Sequence, residues 1–483
     1  MPQDLRTFLA QWEQQHPEDV VRISEPVDIK YNVAGLQLNL ERQGVFPILI
    51  IEHPTTVDGL PSKFPIITNL MASRRRCAAA VGSRSDLIAQ EYQRKISGRI
   101  PPEVVSKSQA PVKDVIDRGE AVNLLKFPIP THHENSSGPE ITGSYITTVD
   151  PDTGVDNTGC QRGDPVDGNT LALFIGTNSH NALNVAKWWN RGEDAPFAMW
   201  IGHHPAAVLG GQVKYGYQES HWDGMGGLLG EPLRLVPTET WGDRLRVPAD
   251  AEIVIEGVIP KETWTAGGQF GDWARYLIPS EPRPVGKVTC ITHRKDAYFH
   301  DIVTGCADHQ VSGSFAYEGA LYASCKLVAP EVVNVHMPLS GMGRATAYIQ
   351  VKDPKPGNVR ALISAALGRD PQLRNVFVVD DDVDIFDDRQ VWWAFSTRTH
   401  LDKDLLVIDN LPSSPMNPIT RMESGRNGIG TKMGVDCTLP QAREPGFPRH
   451  YQMAMRVPQQ ALDAMKVGDY VPADKLRAML REA

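Results

Sequence analysis

From about residue 120 to residue 315 the chain is written as short apolar runs, each cut within a few residues by Gly, Pro, Asn or Asp. "ITGSYITTVD", "LALFIGT", "PFAMWIG", "EIVIEGVI" and "GKVTCITH" are the clearest of them. Runs this short with turn residues between them read as strands, so the middle of the molecule is predicted to be a barrel-like β domain. The flanks read differently. Leu5, Phe8, Leu9 and Trp12 share one helical face, so the chain opens on an amphipathic helix. "FPILIIEH" (46–53) and "FPIITNL" (64–70) read as buried strands, and "SDLIAQEYQRKI" (85–96) as a helix capped by Ser85. The proline-rich stretch 97–113 reads as a linker. After about residue 325, "PEVVNVHMP", "NVFVVDDDVDI" and "DLLVIDN" alternate as strands with the helical "NVRALISAALG" and "QVWWAFSTR". That is a βαβ rhythm. The expected fold is mixed α+β and α/β in three parts: an N-terminal α/β domain with linker (1–115), a β-barrel domain (116–322), and a C-terminal α/β domain with a polar helical tail for packing on another subunit (323–483).

Several function classes are disfavoured. The net charge is −9 over 483 residues, and the longest basic run is "SRRRC" (73–77), read as a solvated or phosphate-facing turn, so no nucleic-acid partner is expected. The polar N-terminus and the lack of a long apolar run predict neither signal peptide nor membrane span, hence a cytoplasmic protein. Six scattered cysteines without zinc spacing read as reduced thiols.

Among the motifs, "DDDVDIFDD" (380–388) fails as a calcium loop, because positions six and twelve are Ile385 and Val391; it reads as a cap and turn. "GMGGLLGE" (224–231) and "GIGTKMG" (428–434) lack nucleotide-loop spacing. The pairs His132–His133 and His203–His204 have no accompanying HExxH and read as structural. "TAGGQFGDW" (265–273) sets the carboxylate of Asp272 beside Phe270 and Trp273, and burial in general raises a carboxylate's proton affinity. Asn157 and Arg162 lie on "DNTGCQR", His180 on "GTNSHNALN" and Glu219 on "YGYQESHWD". Asn, His and Glu from separate turns form a mixed N/O set suited to Mn²⁺ or Mg²⁺.

With "NTGCQR", "HPAAVL", "GQFGDW", "VVDDDVDIFDDRQVWWAFSTR" and "GTKMGVDCT" in this order, the chain resembles the UbiD family of reversible decarboxylases, which use prenylated FMN. The resemblance implies a split β-barrel flavin domain and a carboxylic acid substrate (aromatic, heteroaromatic or α,β-unsaturated) exchanged with CO₂. It also implies a flavin prenyltransferase as cofactor supplier and a homodimer or homohexamer. Asn157, His180 and Glu219 match the ligands of the divalent ion that bridges protein to cofactor phosphate; spacing favours Glu219 over Glu231. A K⁺ site maps onto the carbonyls of Thr158, Gly210, Gly211 and Val213 with Glu219. Thr158, Gly159, Cys160, Gln161, Arg162 and Ser179 would line the cofactor beside them. Asp272 matches the proton donor, and Arg162 the arginine that holds the substrate carboxylate or the acid network.

One position departs from the pattern. The family's second acid lies five residues before the donor, where this chain has Gly267. The nearest upstream acid, Glu262, is out of step; His300, Asp308 and His309 are candidates to replace it. The vacated volume suggests a bulkier substrate. The gap motivates one other reading, a flavin-binding homologue without catalysis; a second, resting on the Asn157/His180/Glu219 set, is a flavin-free metal-dependent decarboxylase or hydrolase.

Overall fold

The computed structural model describes residues 3–176, 178–422, 428–440, 455, 457–473 and 475–476. At its centre lies a nine-stranded sheet that curls into a half-barrel. The strands run in the order Asp156–Cys160, Ser144–Val149, Ala195–Ile201, Ile253–Ile259, Pro282–His293, Thr170–Leu173, Gly163–Pro165; Trp264–Ala266 and Val115–Arg118 add to Pro282–His293. Neighbours pair antiparallel. Ser144–Val149, Ala195–Ile201 and most of Ile253–Ile259 are buried; Ala195–Ile201 accordingly reads as a continuous apolar run, while the other two also bury Ser144, Thr147, Thr148 and Glu256. The curl has a local cause. The register between Ile253–Ile259 and Pro282–His293 shifts at Glu256/Gly257, and a Cβ on Gly257 would lie 2.0 Å from Lys287 O, so only glycine fits this bulge.

The N-terminal sheet orders Val20–Ile23, Ile48–Ile51, Ile66–Thr68 and Phe299–His300, so its last strand comes from far along the chain. The opening helix Leu5–Gln15 buries Leu5, Phe8, Leu9 and Trp12, worth about 1.5–3 kcal/mol for each large apolar side chain. A C-terminal five-stranded sheet orders Val332–His336, Thr346–Val351, Asn375–Asp380, Ile429–Asp436, Leu405–Pro412, with parallel pairs in the middle and helices Asn358–Arg369 and Asp388–Arg398 between strands. The long helix Ala307–Val328 starts beside the half-barrel and ends in the C-terminal core at Leu321 and Cys325.

Several local expectations are corrected. The helix Ile88–Ser97 has Leu87, not Ser85, at its N-cap. The stretch 97–113 is no free linker: Glu103–Val104 pairs parallel with Arg234–Leu235. "SRRRC" opens the helix Arg74–Ala80 from a Ser73 cap. Arg76 there is fully buried and donates to Asp19 and to the carbonyls of Leu70, Phe46 and Asn69. Gly224, Gly226 and Gly227 of "GMGGLLG" lie in a helix, His221–Leu229, and Gly230 is its left-handed C-cap; Cβ atoms on Gly226 and Gly227 would meet backbone oxygens of Ile100 and Lys95. "DDDVDIFDD" does provide a cap, with Asp387 accepting from Arg389 N–H. Of the predicted helical tail, Gln459–Ala464 and Val467–Tyr470 are helical, and its last turns lie outside the described residues. All six cysteines are free thiols. Among the described residues no helix is long and apolar enough to cross a membrane.

Candidate active site

A cleft of about 470 Å³ opens between the half-barrel and the start of the long helix. One wall is the strand Asp156–Cys160 running on into Gln161 and Arg162; Asn157, Thr158, Gly159, Cys160, Gln161 and Arg162 all line it. A second is the N-terminus of the helix His180–Asn190, contributing Ser179 and His180; Ser179 Oγ caps the helix by accepting from Ala182 N–H at 3.2 Å. A helix N-terminus with free N–H groups is a ready anion site. Gly211, Val213 and Lys214 form a third wall, and Asp272, Ile302, Thr304, His309 and Arg344 close the far end.

Of the predicted divalent set, Asn157, His180 and Glu219 share a smaller adjoining cleft. Asn157 Nδ2 donates to Asn181 Oδ1 at 2.8 Å, which leaves the amide oxygen as its ligating atom. Asn181 is fully buried and also donates to Ile146 O and Gln161 Oε1, so it aligns two cleft residues at once. Sequence reasoning missed it, although it directly follows His180. Burial, then Lys214, pushes the His180 imidazole below its ordinary proton affinity, so it is neutral and able to ligate. The Glu219 carboxylate is turned to Arg99 and accepts from Gly216 N–H. A metal would have to draw it from Arg99. Of the predicted potassium positions, Thr158, Gly211 and Val213 line the main cleft; Gly210 does not line it and is buried, where a Cβ would lie 2.6 Å from Met225 Cγ. The donor set and the capped helix end therefore fit a metal-bridged phosphate group.

The acid end differs from expectation. Arg162 Nη1 donates to Glu140 Oε2 at 2.7 Å, and Arg162 Nη2 lies 4.0 Å from Asp272 Oδ2. Glu140 thus supplies the second carboxylate that the sequence lacks at 267. It arrives from a loop 22 residues before the arginine. Burial raises its proton affinity, and Arg162 and then His132 pull it back. The three candidates named from sequence do not do this. His309 lines the cleft but accepts from Gly305 N–H; His300 is buried elsewhere with neither ring nitrogen partnered; Asp308 is buried on Met71 N–H. At Gly267 the direction a side chain would take is blocked, since a Cβ there would lie 2.3 Å from Glu281 O and 2.4 Å from Arg283 Nε; the residue instead lines a second cavity of about 360 Å³, apart from the main cleft, with Glu140 and Asp164.

Asp272 is nearly buried, and its Oδ1 accepts from Trp273 N–H at 2.6 Å. Gly271 precedes it in a strand pair, Phe270–Gly271 with Leu277–Ile278. Its missing side chain is required by neighbours and not by a turn: a Cβ would sit 2.6 Å from His133 and 2.9 Å from Thr304 Oγ1. Phe270 lies under the Arg162 guanidinium, 4.1 Å from its ring centroid. The histidine pairs are each engaged within the protein: His133 Nε2 lies 3.0 Å from Thr304 Oγ1, and His203 Nδ1 accepts from His204 N–H. His132 binds Asp301 at 3.0 Å, and against the cost of burial Asp301 raises its proton affinity. His204 Nδ1 caps a helix by accepting from Ala206 N–H.

Models of the 3-octaprenyl-4-hydroxybenzoate carboxy-lyase domains match the chain in series: the N-terminal domain at 13–96, the Rift-related domain at 103–307 and the C-terminal domain at 310–437. The chain belongs to the UbiD family. UbiD enzymes are carboxy-lyases. Solved structures agree. The UbiD-class enzyme HmfF from Pelotomaculum thermopropionicum, in complex with FMN, is 31% identical with a TM-score of 0.87, over 97% of this chain and 100% of that one. An evolved dimeric form of HmfF, in complex with prFMN, is 30% identical with a TM-score of 0.84, over 97% and 100%. The vanillic acid decarboxylase of Sedimentibacter hydroxybenzoicus, in its open form, is 25% identical with a TM-score of 0.82, over 100% and 99%.

Proposed function

We propose that this UbiD protein catalyses, in the cytoplasm, the reversible non-oxidative decarboxylation of an aromatic, heteroaromatic or α,β-unsaturated acid: R–COO⁻ + H⁺ ⇌ R–H + CO₂. The observation that carries the reading is one arginine between two buried carboxylates, Glu140 and Asp272, at the end of a cleft whose other walls suit a metal-bridged phosphate. Prenylated FMN, when bound, supplies the electrophile that accepts the electron pair released with CO₂.

The chain's own residues supply binding and the proton. Asn157, His180 and Glu219 would hold Mn²⁺ or a similar ion, and the carbonyls of Thr158, Gly210, Gly211 and Val213, with Glu219, would hold K⁺. Thr158 to Arg162 and Ser179 would lie along the cofactor. Arg162 orients the substrate carboxylate by its planar donor fork. Asp272, 4.0 Å from Arg162, delivers the proton to the carbon CO₂ has left.

Glu140, paired with Arg162, stands in for the acid absent at Gly267 and favours catalysis over a non-catalytic flavin-binding role. The chain divides into domains 1–115, 116–322 and 323–483 and assembles as a homodimer or homohexamer; Trp392, Trp393, Val407 and Ile419, which expose apolar surface on the C-terminal domain, support the assembly. The test is expression with a flavin prenyltransferase, followed by a panel of aryl and acrylic acids in D₂O. The reading expects bound flavin absorption and one deuterium in the product for each CO₂ released. Turnover by flavin-free protein would favour the metal-only alternative, and a flavin-loaded protein inert to the whole panel would refute the activity.

A further inference from the structure

The place where a second acid was expected is filled by a cation. Arg283 is 3% exposed, and its Nε and Cγ would lie 2.4 and 2.6 Å from a Cβ on Gly267, so an arginine here and a side chain at 267 exclude each other. Nη1 of Arg283 donates to Asp164 Oδ2 at 2.6 Å, and Nη2 donates to Gly268 O at 2.9 Å. Its guanidinium lies 4.7 Å from the Phe270 centroid, the ring that Arg162 also covers, and 5.3 Å from Phe174. In register, Arg283 faces Thr265, and Gly267 N–H donates to Glu281 O at 3.0 Å. The segment leading to Asp272 is thus hung from 281–283 by backbone bonds and by one side chain that reaches Gly268 and Phe270. None of the proposed chemistry uses this arginine.

We propose that Arg283, held by Asp164, is a positioning residue for the proton donor: it clamps the segment that ends in Asp272, and its charge balances the Arg162–Glu140–Asp272 group. The inference rests on the proposed function. The charged groups acting on Arg283 are Asp164, Arg162 and Glu140, and those acting on Glu140 are Arg162, His132 and Asp164. Arg283 and Arg162 thus face Asp164, Glu140 and Asp272, with the His132–Asp301 pair behind Glu140 and Arg344, His309 and His133 on the side of Asp272 and Arg162. Removing Arg283 leaves an added negative charge, so the group keeps its proton to higher pH. Asp164 takes part in this. Burial raises its proton affinity, Arg283 and Arg162 oppose the rise, and its Oδ1 has no hydrogen-bond partner.

The test compares Arg283→Met, Arg283→Lys and the double variant Asp164→Asn/Arg283→Met in cofactor-loaded enzyme. For Arg283→Met, kcat is expected to fall about tenfold or more through misplacement of the donor, with KM changed less than about threefold. Its alkaline limb is expected to move up by about half to one pH unit. Arg283→Lys keeps the charge and returns the limb, but only part of kcat; the double variant, with both charges gone, also returns the limb. In cofactor-free protein, the stability deficit of Arg283→Met against wild type is expected to shrink as pH falls and Asp164 takes up a proton. The double variant and Arg283→Lys keep the inference testable should Arg283→Met fail to fold. An unmoved limb in every variant, or an effect on KM alone, would overturn it. Loss of turnover in Asp272→Asn beside an unmoved limb in the Arg283 variants refutes this inference and spares the proposed function; turnover retained in Asp272→Asn refutes the function itself.

Discussion

Glu140→Gln removes one charge and almost no volume at the pair that defines the acid end of the cleft. Arg162 is 8% exposed and Glu140 2%, so neither charge has water to fall back on. Losing one partner of a buried pair costs about 3–5 kcal/mol. The Gln amide oxygen can still accept from Nη1, recovering about 1 kcal/mol. The amide also escapes the burial penalty that raises the proton affinity of Glu140, so the lower end applies: about 2 kcal/mol of unfolding free energy. The catalytic effect is larger. With Glu140 neutral, Arg162 loses its 2.7 Å counter-ion and closes on Asp272, now 4.0 Å away. With Arg162 drawn onto its carboxylate, Asp272 is taken out of its position as donor. A positioned general acid is worth about 10²–10⁴ in rate. The expected result is a fall in kcat of about 10²-fold or more, with KM changed less than about threefold. Flavin absorption should be unchanged, because Asn157 and His180 are untouched. CO₂ release by cofactor-loaded enzyme reads kcat, and a chemical unfolding curve reads stability. A Glu140→Gln enzyme within twofold of wild-type kcat would refute the assignment of Glu140 as the second acid.

Three further outcomes are expected. Asn157→Ala or His180→Ala loses metal and flavin together, read by metal analysis and visible absorption of purified protein; wild-type flavin occupancy in either would contradict the ligand assignment. Gly271→Ala forces a methyl to 2.6 Å from His133 and costs about 1–3 kcal/mol in a thermal or urea unfolding curve, with part recovered in Gly271→Ala/His133→Ala. Asp308 is fully buried, and burial pushes its carboxyl from 3.8 to about 7 against the pull of Met71 N–H and Arg76. The folded state then binds the proton more tightly than the unfolded state, so this group's contribution to stability falls as pH rises from about 4 to 7. Asp308→Asn should flatten that part of the stability–pH curve, and an unchanged slope would count against it.

How much of this was legible in the sequence depended on the range of each interaction. Strands such as Ala195–Ile201 and helices such as Leu5–Gln15 declare themselves through local periodicity, and the sequence reading found them. "GQFGDW" and "NTGCQR" pointed to Asp272 and Arg162, which the fold brings to one cleft. What the sequence hid were pairings between distant segments. Glu140 reaches Arg162 from a loop that carries no motif, and a rule about the residue five before the donor cannot see it. Gly267 looked like empty space because Arg283, which fills it, lies on the next strand. Arg76 looked like part of a solvated basic turn, yet its partners, Asp19 and Phe46 among them, come from segments that only tertiary packing brings near. In each case the charge was visible, and its counter-charge or packing partner was not.

The central claim is that Asp272, governed by Arg162 and Glu140, gives the proton that replaces CO₂. It is tested most directly by Asp272→Asn in flavin-loaded protein, because the amide keeps the volume and the bond from Trp273 N–H. The account predicts turnover lost by at least about 10²-fold with the flavin spectrum and metal content of wild type. Wild-type CO₂ release from that variant would contradict it.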